Sequence, residues 1–466
     1  MAGRPVGLGQ ARLSNQEAPG YPSSVQQAPG DKQTGTGNES HSLSLKPQLG
    51  MFDAVATGLA AILGAGIFAV IGPAAGVAGP SLLLALILAA FVAFCNALSS
   101  TQLAAIFPRT GGTYEFGNRM LGPWAGFGAG WMFLTANTVG PGVIALAFGA
   151  YFNAVVGEVP ARVAAVLAAL AMTGLNAFGI RRSVKFTDVV VVLSIASLLA
   201  VVVIGLPKDN SANFSPFAPG GLGGTLQATA LLFFAYTGYS RIATLVEEVK
   251  DPQRTIPRAT VLALGTATLL YLAVGATAVA VLGAYGVSQS SSPLQSTMVM
   301  VGSGVGVGIV ILGALLTTFN EGLSDLLGVS RVAFAMARKE DLPATLAHLG
   351  KDQNPYRSVL VVGVVAIVVA GFAPFGAAVG ISSFGTLLYY TVTNTSALRL
   401  GAGQRRFPRW LSAAGLIGCL GLAFSLAPQE IVIGLGILAI GLVYRAVRLS
   451  ATRSGDTEPK LSKRPD

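Results

Sequence analysis

The groups in this chain best suited to chemistry are backbone amides and carbonyls, exposed where glycine interrupts two long apolar segments. The first segment, residues 52–76, carries Gly64-Ala65-Gly66-Ile67-Phe68 at its centre. The second, residues 224–246, carries Phe233-Phe234-Ala235-Tyr236-Thr237-Gly238-Tyr239. A helix broken at Gly64–Gly66 leaves the amides of Ala65, Gly66 and Ile67 without intrahelical acceptors, and the dipole of the following half-helix adds partial positive charge. Such a terminus takes a carboxylate. A helix broken after Phe234 leaves the carbonyls of Phe233, Phe234 and Ala235 open to a donor such as ammonium. Facing each other, the two breaks would form a formally uncharged socket for a zwitterion. Glycine fits because the amides must approach a ligand with no Cβ between. Helix–helix packing is the competing account, as for the small-xxx-small pair Gly72 and Gly76.

Side chains add a second kind of chemistry. Glu321 and Asp325 are spaced i, i+4 within another apolar segment and so face one side of a helix. Ionisable residues within a membrane segment are candidates for function. Burying a lone carboxylate disfavours its charged form, which suits a proton carrier. Beside Asn320 and nearby hydroxyls the same carboxylate suits sodium, and pairing with Arg241 is the structural alternative. Asp53, at the start of the first segment, fits a dipole-stabilising N-terminal acid. The two cysteines, Cys95 and Cys419, lie in apolar runs and are expected to be small buried side chains. The two histidines, His41 and His348, fall in a tail and a loop, so neither a metal site nor a cofactor is expected.

The elements that must hold these groups are membrane spans. The chain is 52% hydrophobic and 11% charged, with a mean hydropathy of +0.65, against roughly 25% charged in soluble domains. Stretches of about 20 apolar residues, enough to cross a bilayer, occur at 53–76, 80–106, 122–154, 161–180, 184–206, 224–246, 259–283, 297–330, 358–374, 377–399, 409–427 and 430–448. A net charge of +10 is of the kind that nucleic-acid binding gives. With the N-terminus in the cytoplasm, however, all 30 basic residues except Arg162, Lys208 and Arg241 fall on the cytoplasmic side. That asymmetry is a topology signal. It predicts a multi-pass protein of the cytoplasmic membrane with both termini inside and a lipid bilayer, not a nucleic acid, around it.

The expected fold is an all-α polytopic membrane protein with 12 transmembrane helices. Its predicted organisation is a 5+5 inverted repeat with broken helices 1 and 6, plus two extra helices. Residues 1–50, rich in Gly, Pro, Gln and Ser, read as a disordered cytoplasmic tail. Residues 51–206 form the first five-helix repeat, 207–400 the inverted second, 401–449 the last two helices and 450–466 a C-terminal tail. A six-plus-six division would pair spans 1 and 7, and 258–283 has no break like Gly64-Ala65-Gly66. Paired interruptions at matching positions of two halves point to the substrate site of a secondary transporter.

Further motifs follow in order. Pro108-Arg109-Thr110-Gly111-Gly112-Thr113-Tyr114 follows span 2, and Glu247-Glu248-Val249-Lys250-Asp251-Pro252-Gln253-Arg254-Thr255-Ile256-Pro257-Arg258 follows span 6. Gly328-Val329-Ser330-Arg331 and Met336-Ala337-Arg338 close span 8. The charged loops suit either topology signals or an inner gate. With the two broken segments, these motifs resemble the amino acid–polyamine–organocation (APC) superfamily over residues 50–400. The resemblance implies a permease working by alternating access on a small molecule with an amino acid backbone or an amine. It carries substrate contacts onto Ile62, Ala65 and Gly66, and onto Phe234, Ala235 and Thr237. Candidates for the side-chain pocket are Asn137, Thr138, Tyr236, Ser382 and Ser383. Proton-coupled relatives carry a lysine midway along span 5; here that place is Ser194, which leaves Ser194, Asn320 and Glu321 as the ion-coupling candidates for a proton or sodium. Uniport and exchange stay open, as does a polyamine or amine exchanger.

An embedded enzyme would need paired acids, a His cluster or a nucleophile–base set within the spans, and the sequence has none. A channel would be expected to show repeated carbonyl or charge rings. Nothing in the sequence sets an oligomeric state.

Overall fold

A computed structural model describes residues 50–107, 112–179, 184–208, 210–245, 249–350 and 354–455. The tail expected at 1–50 lies outside these residues but for Gly50; of that expected at 450–466, residues 450–455 continue the last helix and the rest lies outside. So do Pro108–Gly111, Glu247–Glu248 and the side chain of Arg241.

The chain begins with α1 (Met51–Ile62), where the Asp53 carboxylate accepts from the Gly50 N–H at 2.8 Å and caps the first turn. α1 stops at Leu63, whose ψ of 108° is extended rather than helical. A π-helical turn over Gly66–Val70 restarts the chain and leads into α2 (Ile71–Ala78). The break in span 1 therefore falls on Leu63 and Gly64, with Ala65 already helical. After α3 (Leu82–Ile106) a short helix, α4 (Thr113–Met120), precedes the long α5 (Pro123–Val156). α6 (Ala161–Ala177) and α7 (Val184–Gly205) complete the first half.

Span 6 is interrupted differently. α8 (Gly221–Phe233) does not unwind; it tightens into 3₁₀ helix from Phe234 to Leu245. A 3₁₀ run this long is uncommon because its side chains eclipse and its hydrogen bonds are poorer. Gly238 allows it: a Cβ there would overlap the Ala61 carbonyl, so the 3₁₀ backbone lies directly on the end of α1. α9 (Pro252–Gln289) follows, with Gly283 at φ 71° ending its regular part. Glycine is required at that position.

The remaining helices are α10 (Pro293–Val301), α11 (Gly304–Arg338), α12 (Tyr356–Phe372), α13 (Phe375–Leu398), α14 (Arg409–Ala423) and α15 (Pro428–Gly455). The span expected at 297–330 instead begins at Gly304 and runs on to Arg338. Gly302, left-handed at φ 80°, closes α10, and the Ser303 hydroxyl caps α11 by accepting from the Gly306 N–H. No β-strand occurs among the described residues.

Among the described residues, seven helical stretches are long and apolar enough to cross a membrane, the first containing both α1 and α3; α6, α12 and α14 are shorter apolar helices. α5 packs against both α11 and α13, and α1 lies against α9, α7, α11 and the 3₁₀ segment. α15 turns Val432, Ile440, Val443 and Val447 outward, each more than 60% exposed. An apolar helix with an uncovered apolar face is matched to lipid rather than to water. Cys95 and Cys419 are buried and unbridged, and the Cys419 thiol lies 3.3 Å from Asn96 Oδ1.

Candidate functional site

The two interruptions meet. A Cβ at Gly66 would overlap the Cβ and Cα of Ala235, so the broken part of span 1 and the 3₁₀ part of span 6 touch with no side chain between them. Gly66, Ala65 and Ile62 are buried, Ala235 is 4% and Phe234 8% exposed. Close backbone approach is thus what Gly66 provides, and its immediate partner is the other break.

Several of the groups at the breaks have partners within the protein. The amide of Ala65 donates to Glu321 Oε2 at 2.7 Å. A Cβ at Gly64 would overlap the same carboxylate, so Gly64 provides the space in which Glu321 reaches the break. On the carbonyl side, the Tyr271 hydroxyl of α9 lies 2.7 Å from the Ile62 oxygen and 3.3 Å from the Ala235 oxygen. Thr237 Oγ1 donates to the Phe234 carbonyl at 2.9 Å. The carbonyls of Phe234 and Ala235, expected to be open, thus have hydroxyls of the protein beside them, and the Ala65 amide holds a carboxylate of the protein. A buried unpaired backbone group costs more than a net hydrogen bond returns, so internal partners are the physical default. Further along span 1, Tyr151 of α5 donates to the Phe68 carbonyl at 2.7 Å and packs edge-on against the Phe68 ring.

Ser194 of α7 shares a hydrogen bond with Thr317 of α11, one helical turn before Glu321. Asn320, the residue before Glu321 on α11, is buried. Ser194 and Glu321 therefore lie where α7, α11 and the span 1 break adjoin. Asp325 sits elsewhere: its Oδ2 would be 2.8 Å from a Cβ at Gly140 of α5. There Pro141, inside the continuous α5, deprives the Asn137 carbonyl of its helical donor.

The side-chain pocket candidates fall in two places. Tyr236 is fully buried with its ring 5.3 Å from that of Tyr271, beside the breaks. Asn137 and Thr138 lie on α5 and Ser382 and Ser383 on α13, two helices that pack together. There the Ser382 hydroxyl donates to the Ala136 carbonyl at 3.0 Å, while Asn137 and Thr138 bond back to Phe133 and Leu134. The Ser383 hydroxyl is buried without a hydrogen-bond partner.

Away from the breaks, the described part of the loop after span 2 meets the end of span 8. Glu115 of α4 pairs with Lys339 at 2.5 Å and Arg119 at 2.7 Å. Tyr114 donates to Asp341, which also pairs with Arg445 of α15 at 2.8 Å. Burial and the Asp341 carboxylate keep the Tyr114 phenol protonated well above its ordinary range. Burial pushes the Glu115 carboxyl up, but Lys339 and then Arg119 more than offset this and hold it below the usual carboxylate range. Its contribution to stability is therefore present above the unfolded value of about 4.3 and is lost as pH falls through the lower folded value. The melting temperature of Glu115→Gln should lie below that of the parent at pH 7 by the equivalent of about 1 kcal/mol. The gap should persist down to about pH 4.3 and close only as the pH falls further, through the folded value; a gap that stays constant there would show that charge pairing does not hold α4 in place.

The sequence missed Tyr271 and Tyr151. The available signal was a tyrosine inside an otherwise apolar span, since a buried phenol needs an acceptor. Which acceptor it finds depends on neighbours far away in the chain.

A profile of the family described as amino acid permease matches residues 49–443. An uncharacterised transporter of Mycobacterium tuberculosis is 42% identical over 423 residues, covering 89% of this chain and 95% of its own. A methylthioribose transporter of Bacillus subtilis is 28% identical, covering 78% and 83%, and a branched-chain amino acid permease of the same species is 28% identical, covering 86% and 92%. Among solved structures, a mutant manganese transporter from Eremococcus coleocola aligns with a TM-score of 0.57 at 14% identity, over 90% of this chain and 98% of its own. This last likeness is one of fold.

Proposed function

The chain belongs to the amino acid permease family, within the APC superfamily, and on that premise we propose that it is a secondary active transporter moving an amino acid across the cytoplasmic membrane by alternating access. As a multi-pass membrane transporter of amino acids or related compounds it is not an enzyme. The observation that supports the finer reading is the contact between the breaks, Gly66 against Ala235, with the Ala65 amide and the Ile62 and Ala235 carbonyls close by. The substrate's carboxylate is assigned to the amides of Ala65 and Gly66. Its ammonium is assigned to the carbonyls of Ile62, Phe234 and Ala235, with Thr237 alongside. Twelve crossings, two inverted five-helix repeats that rock about this point, and both termini inside complete the proposal. Coupling to a proton or sodium is assigned to Glu321 with Ser194 and Asn320, supported by the bond from Glu321 to the site amide.

One observation favours a second reading. The Ala65 amide already holds a carboxylate, so a substrate with an amine and no acid group would find its complement in the carbonyls alone. An amine or polyamine exchanger follows from that arrangement.

Thermal stabilisation separates the two. A native-state ligand at about 100 times its Kd adds about 2.7 kcal/mol to stability. The purified protein should be stabilised by one or more of the twenty amino acids, and by fewer amines, with the response depending on pH or sodium. Stabilisation by putrescine or spermidine alone would select the exchanger. A response to neither class would remove the proposed site.

A further inference from the structure

Tyr271 donates one proton towards two carbonyls. It is fully buried in α9, and its hydroxyl lies 2.7 Å from the Ile62 oxygen and 3.3 Å from the Ala235 oxygen. Ile62 is the last residue of α1, so its carbonyl belongs to the set that must find a donor outside the helix. Ala235 lies in the 3₁₀ segment that Gly66 touches. The two acceptors thus come from opposite sides of the contact between the breaks, and a single phenol serves both. A phenol has one hydrogen to give; an ammonium has three. Two carbonyls converging on one weak donor are a place that an ammonium group satisfies better than the resident hydroxyl does.

We propose that Tyr271 is a positioning residue for the substrate's amine: its hydroxyl holds the Ile62 and Ala235 carbonyls converged in the empty site and yields one of them when the ammonium arrives. The inference rests on the transport reading above and adds a residue to it. The ring is held independently of the hydroxyl, against Tyr236 at a centroid distance of 5.3 Å. Removing only the oxygen therefore leaves the packing in place and frees the two carbonyls to drift apart. The loss should fall on ligands that bring an amine and spare those that do not.

The test uses the full chain in proteoliposomes. Its probes are the twenty amino acids with putrescine and spermidine as radiolabelled substrates. The amine-free analogue of the best substrate serves as competitor. In Tyr271→Phe the KM for the amine-bearing substrate should rise about tenfold, the worth of one net hydrogen bond to a charged donor. The maximal rate should stay within about twofold of wild type, and the inhibition constant of the amine-free analogue should not move. Tyr151→Phe is the matched control, since it deletes another buried hydroxyl that donates to a span 1 carbonyl, outside the break. Its ratio of KM to the analogue's inhibition constant should equal that of wild type. A Tyr271→Phe protein with unchanged KM, with both ligands weakened alike, or unable to reach the membrane when Tyr151→Phe does, would assign the hydroxyl to structure and overturn the inference. Wild-type protein that takes up no amine-bearing compound would instead remove the transport reading, and this inference with it.

Discussion

Gly66→Leu is expected to reduce uptake to the level of empty vesicles, and Gly66→Ala to cut it by about tenfold to a hundredfold. The reason is the absence of any side chain between the two breaks. Even one methyl group at Gly66 would overlap the Cβ and Cα of Ala235, and backbone cannot rotate out of the way as a flexible side chain can. Overpacking of this kind costs about 1–3 kcal/mol, and each 1.4 kcal/mol is a factor of ten. The cost need not unfold the protein, because the extended break and the long 3₁₀ run are already the least regular parts of spans 1 and 6. It falls on the alignment of the Ala65 amide with the Ala235 carbonyl. Gly128→Ala in α5 is the control: nothing lies within 4 Å of a Cβ at that position. Alanine there should be neutral for uptake and slightly favourable for the helix, by up to about 1 kcal/mol. Initial uptake rates, normalised to the amount of folded protein by gel filtration, decide the matter. Wild-type rates for Gly66→Ala would mean that the breaks do not work in contact.

Much of the helical framework could be read because apolar length is a local property. The run at 80–106 became α3 at Leu82–Ile106, and the run at 161–180 became α6, ending at Ala177. Errors arose where short-range turn chemistry outweighed hydropathy. Gly302 and Ser303 split a continuous apolar stretch into α10 and α11, and both residues are recognised helix punctuation. α4, eight residues within a polar loop, has no apolar length to betray it. The glycines at 64 and 66 correctly marked an interruption in span 1. Its partners were illegible. Glu321 reaches Ala65 from 256 residues away and Tyr271 reaches Ile62 from 209. No periodicity records a pairing over that distance. The form of the second interruption was hidden for a related reason. Whether Gly238 unwinds span 6 or lets it tighten depends on what it lies against, and that is the Ala61 carbonyl. The sequence also treated the orphan amides as waiting for a ligand. Folding supplies an internal carboxylate first.

Glu321 has a contact with the Ala65 amide and a proposed part in coupling, and substitution can separate the two. Glutamine keeps the shape and the oxygen that accepts from the Ala65 amide, and it removes the charge. Glu321→Gln is expected to fold with a melting temperature close to wild type, to retain binding, and to lose the dependence of uptake on pH or sodium. Dependence unchanged from wild type would leave Glu321 with a structural role alone. Alanine removes the acceptor as well, and a buried amide left unpaired costs about 1–3 kcal/mol. Glu321→Ala should accordingly lower stability as well as uptake. Gly64 supplies the internal check. Because a Cβ at Gly64 would overlap the Glu321 carboxylate, Gly64→Ala should by itself expel that carboxylate and reproduce the loss seen in Glu321→Ala. In the Glu321→Ala background the same methyl group enters space already vacated, so its added cost should be small. The double-mutant cycle should then give a coupling between about 0.5 and 3 kcal/mol, the range for residues in direct contact. Additive losses would mean that Glu321 does not rest in the cleft that Gly64 leaves open, and its claim to regulate the break would go with it.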